Sequence, residues 1–96
     1  MYRIEVEKLE FAAEMLKSVA HPIRLKIINL LIDYEKKTVT EIHKILNIEQ
    51  AATSHHLGIL KNKGILGSER DGKNCYYYLK QKKISAIIQC IKECSL

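Results

Sequence analysis

Gln50-Ala51-Ala52-Thr53-Ser54-His55-His56-Leu57 is the stretch whose reading decides the fold. On a helix, residues three and four apart share a face. Thr53, Leu57 and Leu60 then line one side, toward a core. Gln50, Ser54 and Lys61 line the other, with Ala51, His55 and Gly58 beside them. That outer side is short, hydrogen-bonding and cationic at its far end, which suits the floor of a DNA major groove. Glutamine pairs bidentately with adenine, serine bonds to several base edges, and alanine touches a thymine methyl. Amphipathic helices of this composition are common, so the neighbouring segments carry the rest of the reading.

Upstream, Thr38-Val39-Thr40-Glu41 has the capping-box spacing, in which a hydroxyl and a carboxylate satisfy free backbone donors at a helix start. Val39, Ile42, Ile45 and Leu46 follow at helical spacing. Asn47 tolerates the left-handed conformation that ends helices, and Ile48 and Glu49 lead into the next helix near Gln50. Glu49 is a poorer cap than Ser, Thr or Asp, although its charge suits a helix N-terminus. Helix, short turn and helix with a polar outer side make a helix-turn-helix.

Downstream, Gly64 closes the helix. Ile65–Arg70 and Cys75–Leu79 then flank Asp71-Gly72-Lys73-Asn74, and Asp-Gly between β-prone runs signals a hairpin. Cys75, Tyr77 and Leu79 share one face of the second strand, Tyr76 and Tyr78 the other. Taken alone, the tip is a solvated turn with surface cations. Behind a helix-turn-helix it reads as a wing, with Arg70, Lys73 and Asn74 placed to reach phosphates or the minor groove. The expected fold is mainly α with one β-hairpin, a winged helix-turn-helix of five helices spanning residues 1–96 as one domain.

From about Ser18 to Leu79 the chain resembles the ArsR-type winged-helix repressors, sensors of metals, metalloids and other signals. The resemblance rests on Ala20-His21-Pro22-Ile23-Arg24-Leu25-Lys26-Ile27-Ile28, on Ile48 to Leu57, on Leu60-Lys61-Asn62-Lys63-Gly64-Ile65-Leu66 and on Gly72 to Leu79, in that order. It implies a homodimer whose two recognition helices enter successive major grooves of a duplex operator. It places Gln50, Ala51, Ser54 and His55 where family members touch bases, and His56 where the family packs a side chain inside the domain.

The resemblance does not bring a metal site with it. One site known in the family uses a Cys-x-Cys pair leading into the helix before the recognition helix; the corresponding positions here are Thr38 and Thr40. A second uses Asp-x-His early in the last helix and His-x-x-Glu later, shared across the dimer. Those positions become Gln81 and Lys83, then Cys94, with the glutamate position beyond Leu96. No cofactor is expected. The remaining soft chemistry is Cys90 and Cys94, one helical turn apart, able to share a thiophilic metal or metalloid or to act as a redox pair. Against this, cysteine also behaves as a small apolar residue beside an isoleucine stripe, and Cys75 reads as packing. His21 and His43 are single histidines, structural or exposed rather than ligands.

Ninety-six residues make one small domain, which gains from burying a dimer interface. The net charge of +5 suits a polyanionic partner. Leu9, Ala12, Leu16 and Val19 form one apolar stripe, widened by Phe11 and Met15; Ile84, Ile87, Ile88 and Ile91 form another. The terminal helices, about 5–19 and 82–94, are therefore expected to pair two copies. Ile23, Ile27, Leu30 and Leu31 form a core face between them, and Arg24 reads as a structural donor rather than a DNA contact. The longest apolar run, Ile27 to Ile32, is broken by Asn29 and too short for a bilayer. Met1 to Glu5 lacks the apolar core of a signal peptide, and three cysteines fit reduced thiols. Both point to the cytoplasm. No convergent acid, base and nucleophile suggests an enzyme. A winged-helix module for protein or RNA would keep the same core without needing the Gln50–His55 face.

Overall fold

The computed structural model describes residues 5–94. The start read for a leader, Met1 to Ile4, lies outside them, as do Ser95 and Leu96. Helices α1 (Val6–Val19) and α2 (Pro22–Asp33) are followed by a short strand β1 (Lys37–Thr38). Helices α3 (Val39–Leu46) and α4 (Gln50–Asn62) come next, then strands β2 (Leu66–Asp71) and β3 (Asn74–Leu79). A 3₁₀ turn at Lys82–Ile84 leads into α5 (Ser85–Lys92).

Local chemistry sets each boundary. Pro22 occupies the first turn of α2, where its missing N–H costs nothing, and His21 caps that helix by accepting the Ile23 N–H on Nδ1 at 3.1 Å. Thr38 and Glu41 form the expected capping box on α3. The Thr38 Oγ1 accepts from the Glu41 N–H at 3.1 Å, and the Glu41 carboxylate accepts from the Thr38 N–H at 2.9 Å. Asn47 then takes φ 55°, ψ 51°, stopping α3 as anticipated. Glu49 precedes α4 without a side-chain cap; Thr53 anchors the first turn, donating through Oγ1 to the Glu49 carbonyl at 2.9 Å.

The core gathers Ile27, Ile28, Leu30 and Leu31 of α2 around Ile42, Leu57, Leu60, Ile65, Leu66 and Leu79, and Ile84 and Ile88 close it from the C-terminal side. Ile65 stitches α4 to the sheet: its N–H reaches the Leu60 carbonyl, and its own carbonyl accepts from Lys80 and Gln81, each at 3.0 Å.

Three features depart from the sequence reading. The hairpin is part of a three-stranded antiparallel sheet of order β1-β3-β2, because Lys37 and Thr38 pair with Tyr77 and Tyr76. Two residues are too few to show an alternating pattern. The hairpin turn is also tighter than the expected Asp71–Asn74, since Asp71 pairs with Asn74 and only Gly72 and Lys73 stand outside the ladder. Gly72 takes φ 66° and Lys73 stays negative, the glycine-led pattern of a type II′ turn. Last, the C-terminal helix expected over 82–94 begins with the 3₁₀ turn and ends at Lys92. Ile84 and Ile88 hold it against the core, but Ile91 is 48% exposed, so the final turn gains little burial among the described residues. No helix among the described residues is long and apolar enough to cross a membrane.

Candidate nucleic-acid interface

Helix α4 divides cleanly into two sides. Thr53, His56, Leu57 and Leu60 are buried, whereas Gln50, Ala51, Ser54, His55 and Lys61 are exposed. The outer set starts at the helix N-terminus, where backbone N–H groups and the helix dipole favour anions, and ends on a cation. Short side chains at Ala51 and Ser54 let the helix backbone approach a flat surface closely.

Arg70, Lys73 and Asn74 are all exposed around the hairpin tip. The sheet behind them is braced from β1 and the turn before it. Lys36 donates to the Glu69 carboxylate at 2.8 Å while its ammonium lies 4.9 Å from the centre of the Tyr76 ring. That hydrogen bond to Glu69 raises the Lys36 pKa above its ordinary value, and it occupies Glu69, a wing carboxylate that would otherwise repel a phosphate strand. Lys37 similarly lies 4.6 Å from the Tyr34 ring centre. Neither brace was evident in the sequence, because each joins residues about thirty positions apart or depends on β1.

Behind α4, Arg24 is the structural donor that the sequence suggested. It donates to the Ser18 carbonyl at 3.0 Å and to His56 Nδ1 at 3.1 Å. His56 is 8% exposed, and burial, with the nearby charges of His21, Arg24 and His55, lowers its pKa below the usual imidazole value. His43 Nδ1 lies 3.2 Å from the Ile48 carbonyl, bracing the turn between α3 and α4.

Thr38 caps α3, Thr40 is exposed, Gln81 precedes the 3₁₀ turn and Lys83 is exposed. Cys90 and Cys94 are exposed rather than packed beside the isoleucine stripe, and Cys94 falls past the end of α5, so helical spacing does not hold the two thiols together. Cys75 is half-buried. Among the described residues no three His, Cys, Asp or Glu side chains cluster in a way that could hold a metal ion.

With this geometry in place, the matching family model is decisive: the bacterial regulatory protein arsR family model covers residues 21–68, from the cap of α2 to the start of the wing. The chain belongs to the ArsR family. PagR, a transcriptional repressor of Bacillus anthracis, is 39% identical over 90 residues, covering 94% of this chain and 90% of PagR. Its crystal structure superposes with a TM-score of 0.83 over 91% of this chain and 99% of that one. The biofilm growth-associated repressor of Xylella fastidiosa is 30% identical over 92 residues, 95% of this chain and 80% of the relative. NolR of Sinorhizobium fredii, 28% identical, superposes with a TM-score of 0.80 over 97% and 95% of the two chains. As an ArsR-family member the chain is a DNA-binding transcriptional regulator with a winged helix-turn-helix fold.

Proposed function

We propose that this protein represses transcription by binding a pseudo-palindromic duplex operator as a homodimer in the cytoplasm. The observation that carries the reading is the division of α4, whose Gln50, Ala51, Ser54 and His55 face outward while Thr53, His56 and Leu57 fix the helix from behind. Each copy seats α4 in a major groove, and Arg70, Lys73 and Asn74 of the wing reach the flanking backbone or minor groove. Two such heads read half-sites about one helical turn apart, or a multiple of it. The dimer is supported by α1, whose Leu9 and Leu16 are 52% and 51% exposed within one chain.

The test is enrichment of duplexes from a random-sequence pool, followed by affinity measurements on the winner. Gln50→Ala or Ser54→Ala should relax the preference at individual base pairs, by roughly 1–3 kcal/mol for a good bidentate contact. A parent protein that enriches no sequence, with variants that bind as it does, refutes specific readout.

A thiol-responsive switch is the second reading, favoured by the exposure of Cys90 and Cys94 on either side of the exposed Ile91. A thiophilic metal, metalloid or oxidant acting there would alter the terminal helix and thereby the spacing of the two heads. Such a ligand must prefer one dimer arrangement, since equal affinity for both shifts nothing.

A further inference from the structure

Arg24 joins three helices directly behind the outward face of α4. Its Nη1 donates to the Ser18 carbonyl near the end of α1, and its Nε donates to His56 Nδ1 on α4. A guanidinium has donors only and stays charged, so the His56 nitrogen facing it is the unprotonated acceptor. The His56 ring also lies against that of His21, with centroids 4.4 Å apart. His21 uses its own Nδ1 to accept the Ile23 N–H that caps α2. Two imidazoles in contact thus each offer an unprotonated nitrogen to a fixed donor.

A proton on either ring reverses the role of that nitrogen. On His56 it sets N–H against N–H and one cation against the Arg24 guanidinium. On His21 it removes the cap of α2, and with both rings charged they repel at contact distance. The titratable and charged groups facing His56 are His21 at the head of α2, Arg24 on α2 and His55 on α4, with the His55 ring 5.2 Å away. Around Arg24 at the surface stand Glu14 and Lys17 of α1 and Lys63 just after α4, so Glu14 is the single carboxylate in that set. The lowered His56 pKa agrees with a pocket that keeps the ring neutral.

We infer that Arg24, His56 and His21 are positioning residues for the reading helix, and that they hold it only while both imidazoles are neutral, so that acidification weakens operator binding. The inference rests on the proposed role of α4 in reading DNA. Ser54 and His55 immediately precede His56, so any shift of α4 about this anchor re-aims them. The sign is opposite to that expected from charge alone. Lowering the pH adds positive charge to a basic protein and should tighten binding to any polyanion.

The experiment takes a duplex enriched by the parent at about pH 7.5 and follows its Kd, and that of a random-sequence duplex, down to about pH 4.5, a span that reaches well below the ordinary imidazole value because burial lowers that of His56. The enriched duplex should weaken by about tenfold or more, as loss of a hydrogen bond to a charged donor implies, while the random duplex holds or tightens. His56→Asn keeps an acceptor oxygen for Arg24, and His21→Asn keeps a helix cap, both without a titrating ring. The double variant should bind the enriched duplex near the parent's affinity at about pH 7.5 and lose the acid weakening. Affinity for the enriched duplex that holds or rises on acidification of the parent, or that still falls in the double variant, overturns the inference. A protein-only measurement stands beside it. Imidazole ¹⁵N spectra should show neutral His56 carrying its proton on Nε2, and its titration should move the backbone amides of α4 and of the first turn of α2 together. A proton on Nδ1, or α4 amides indifferent to the titration, overturns the positioning role. Failure to enrich any duplex counts against the operator reading alone and leaves the spectra to decide the clamp.

Discussion

The ring of Tyr78 on β3 occupies the space that a side chain at Gly67 on β2 would fill. The two residues are direct partners in the ladder, and a Cβ built on Gly67 meets the far end of the Tyr78 ring in hard overlap. Gly67 is buried and takes no left-handed backbone conformation. Its lack of a side chain is what matters, since it lets the tyrosine lie flat across the sheet.

Gly67→Ala should therefore destabilise the domain by roughly 1–3 kcal/mol, the usual cost of forcing extra volume into a packed site. In a Tyr78→Ala background the same change should be neutral or slightly stabilising, because alanine loses less backbone freedom than glycine in a strand. Urea denaturation of the four proteins checks this; equal costs of Gly67→Ala in both backgrounds would remove Tyr78 as the cause.

Removing the Thr38 hydroxyl breaks one half of the α3 capping box and should cost about 1 kcal/mol. The other half has a pH signature. The Thr38 backbone N–H, foremost, and the Lys37 charge hold the Glu41 carboxyl below the ordinary carboxylate value. A group whose pKa falls on folding contributes stability above its unfolded value, about 4.3 for glutamate, and that contribution is lost as pH falls through the folded value. Glu41→Gln should flatten the acid limb of the stability curve in that window and leave its slope near neutrality unchanged. Denaturation midpoints taken across the window read this directly.

Exposed apolar residues on α1 predict an association defect that leaves the fold intact. Leu9→Glu with Leu16→Glu adds charge at two apolar residues that stay about half exposed among the described residues. The variant should keep its helical circular dichroism, sediment as a monomer and lose operator affinity. A variant that still sediments with the parent would move the interface away from α1.

Lys73 at the wing tip should contribute through phosphate rather than through base identity. Lys73→Gln should weaken the enriched and random duplexes alike. It should also reduce the slope of log affinity against log salt by about 0.9, the value for one phosphate contact. A loss confined to the enriched duplex would instead make the wing a base reader.

For the thiols, the expected outcome is that arsenite, thiophilic metals or oxidants release the reduced parent from its operator and leave Cys90→Ser with Cys94→Ser bound. Gel-shift titrations of the two proteins decide the point. An unchanged response in the double variant would assign Cys90 and Cys94 no sensing role.

The helix-turn-helix was legible because its signals are local. The Thr38–Glu41 capping box, Asn47 at the end of α3 and Gly72 in the hairpin turn each act within a few residues, and the 3.6-residue period of α4 separates Gln50 and Ser54 from Thr53 and Leu57 without reference to the rest of the chain. The sequence by itself thus determined the order of the five helices and the hairpin, the end of α3 and which side of α4 faces outward. Tertiary structure alone decided what lies behind that side. The Arg24–His56 hydrogen bond spans 32 positions and the Lys36–Glu69 pair 33, so no periodicity announces either. Strand β1 exists only because Lys37 and Thr38 come to rest beside Tyr77 and Tyr76. The end of α5 was likewise set by packing: Ile84 and Ile88 reach the core and Ile91 does not, and a short helix persists only as far as burial offsets the cost of ordering its backbone.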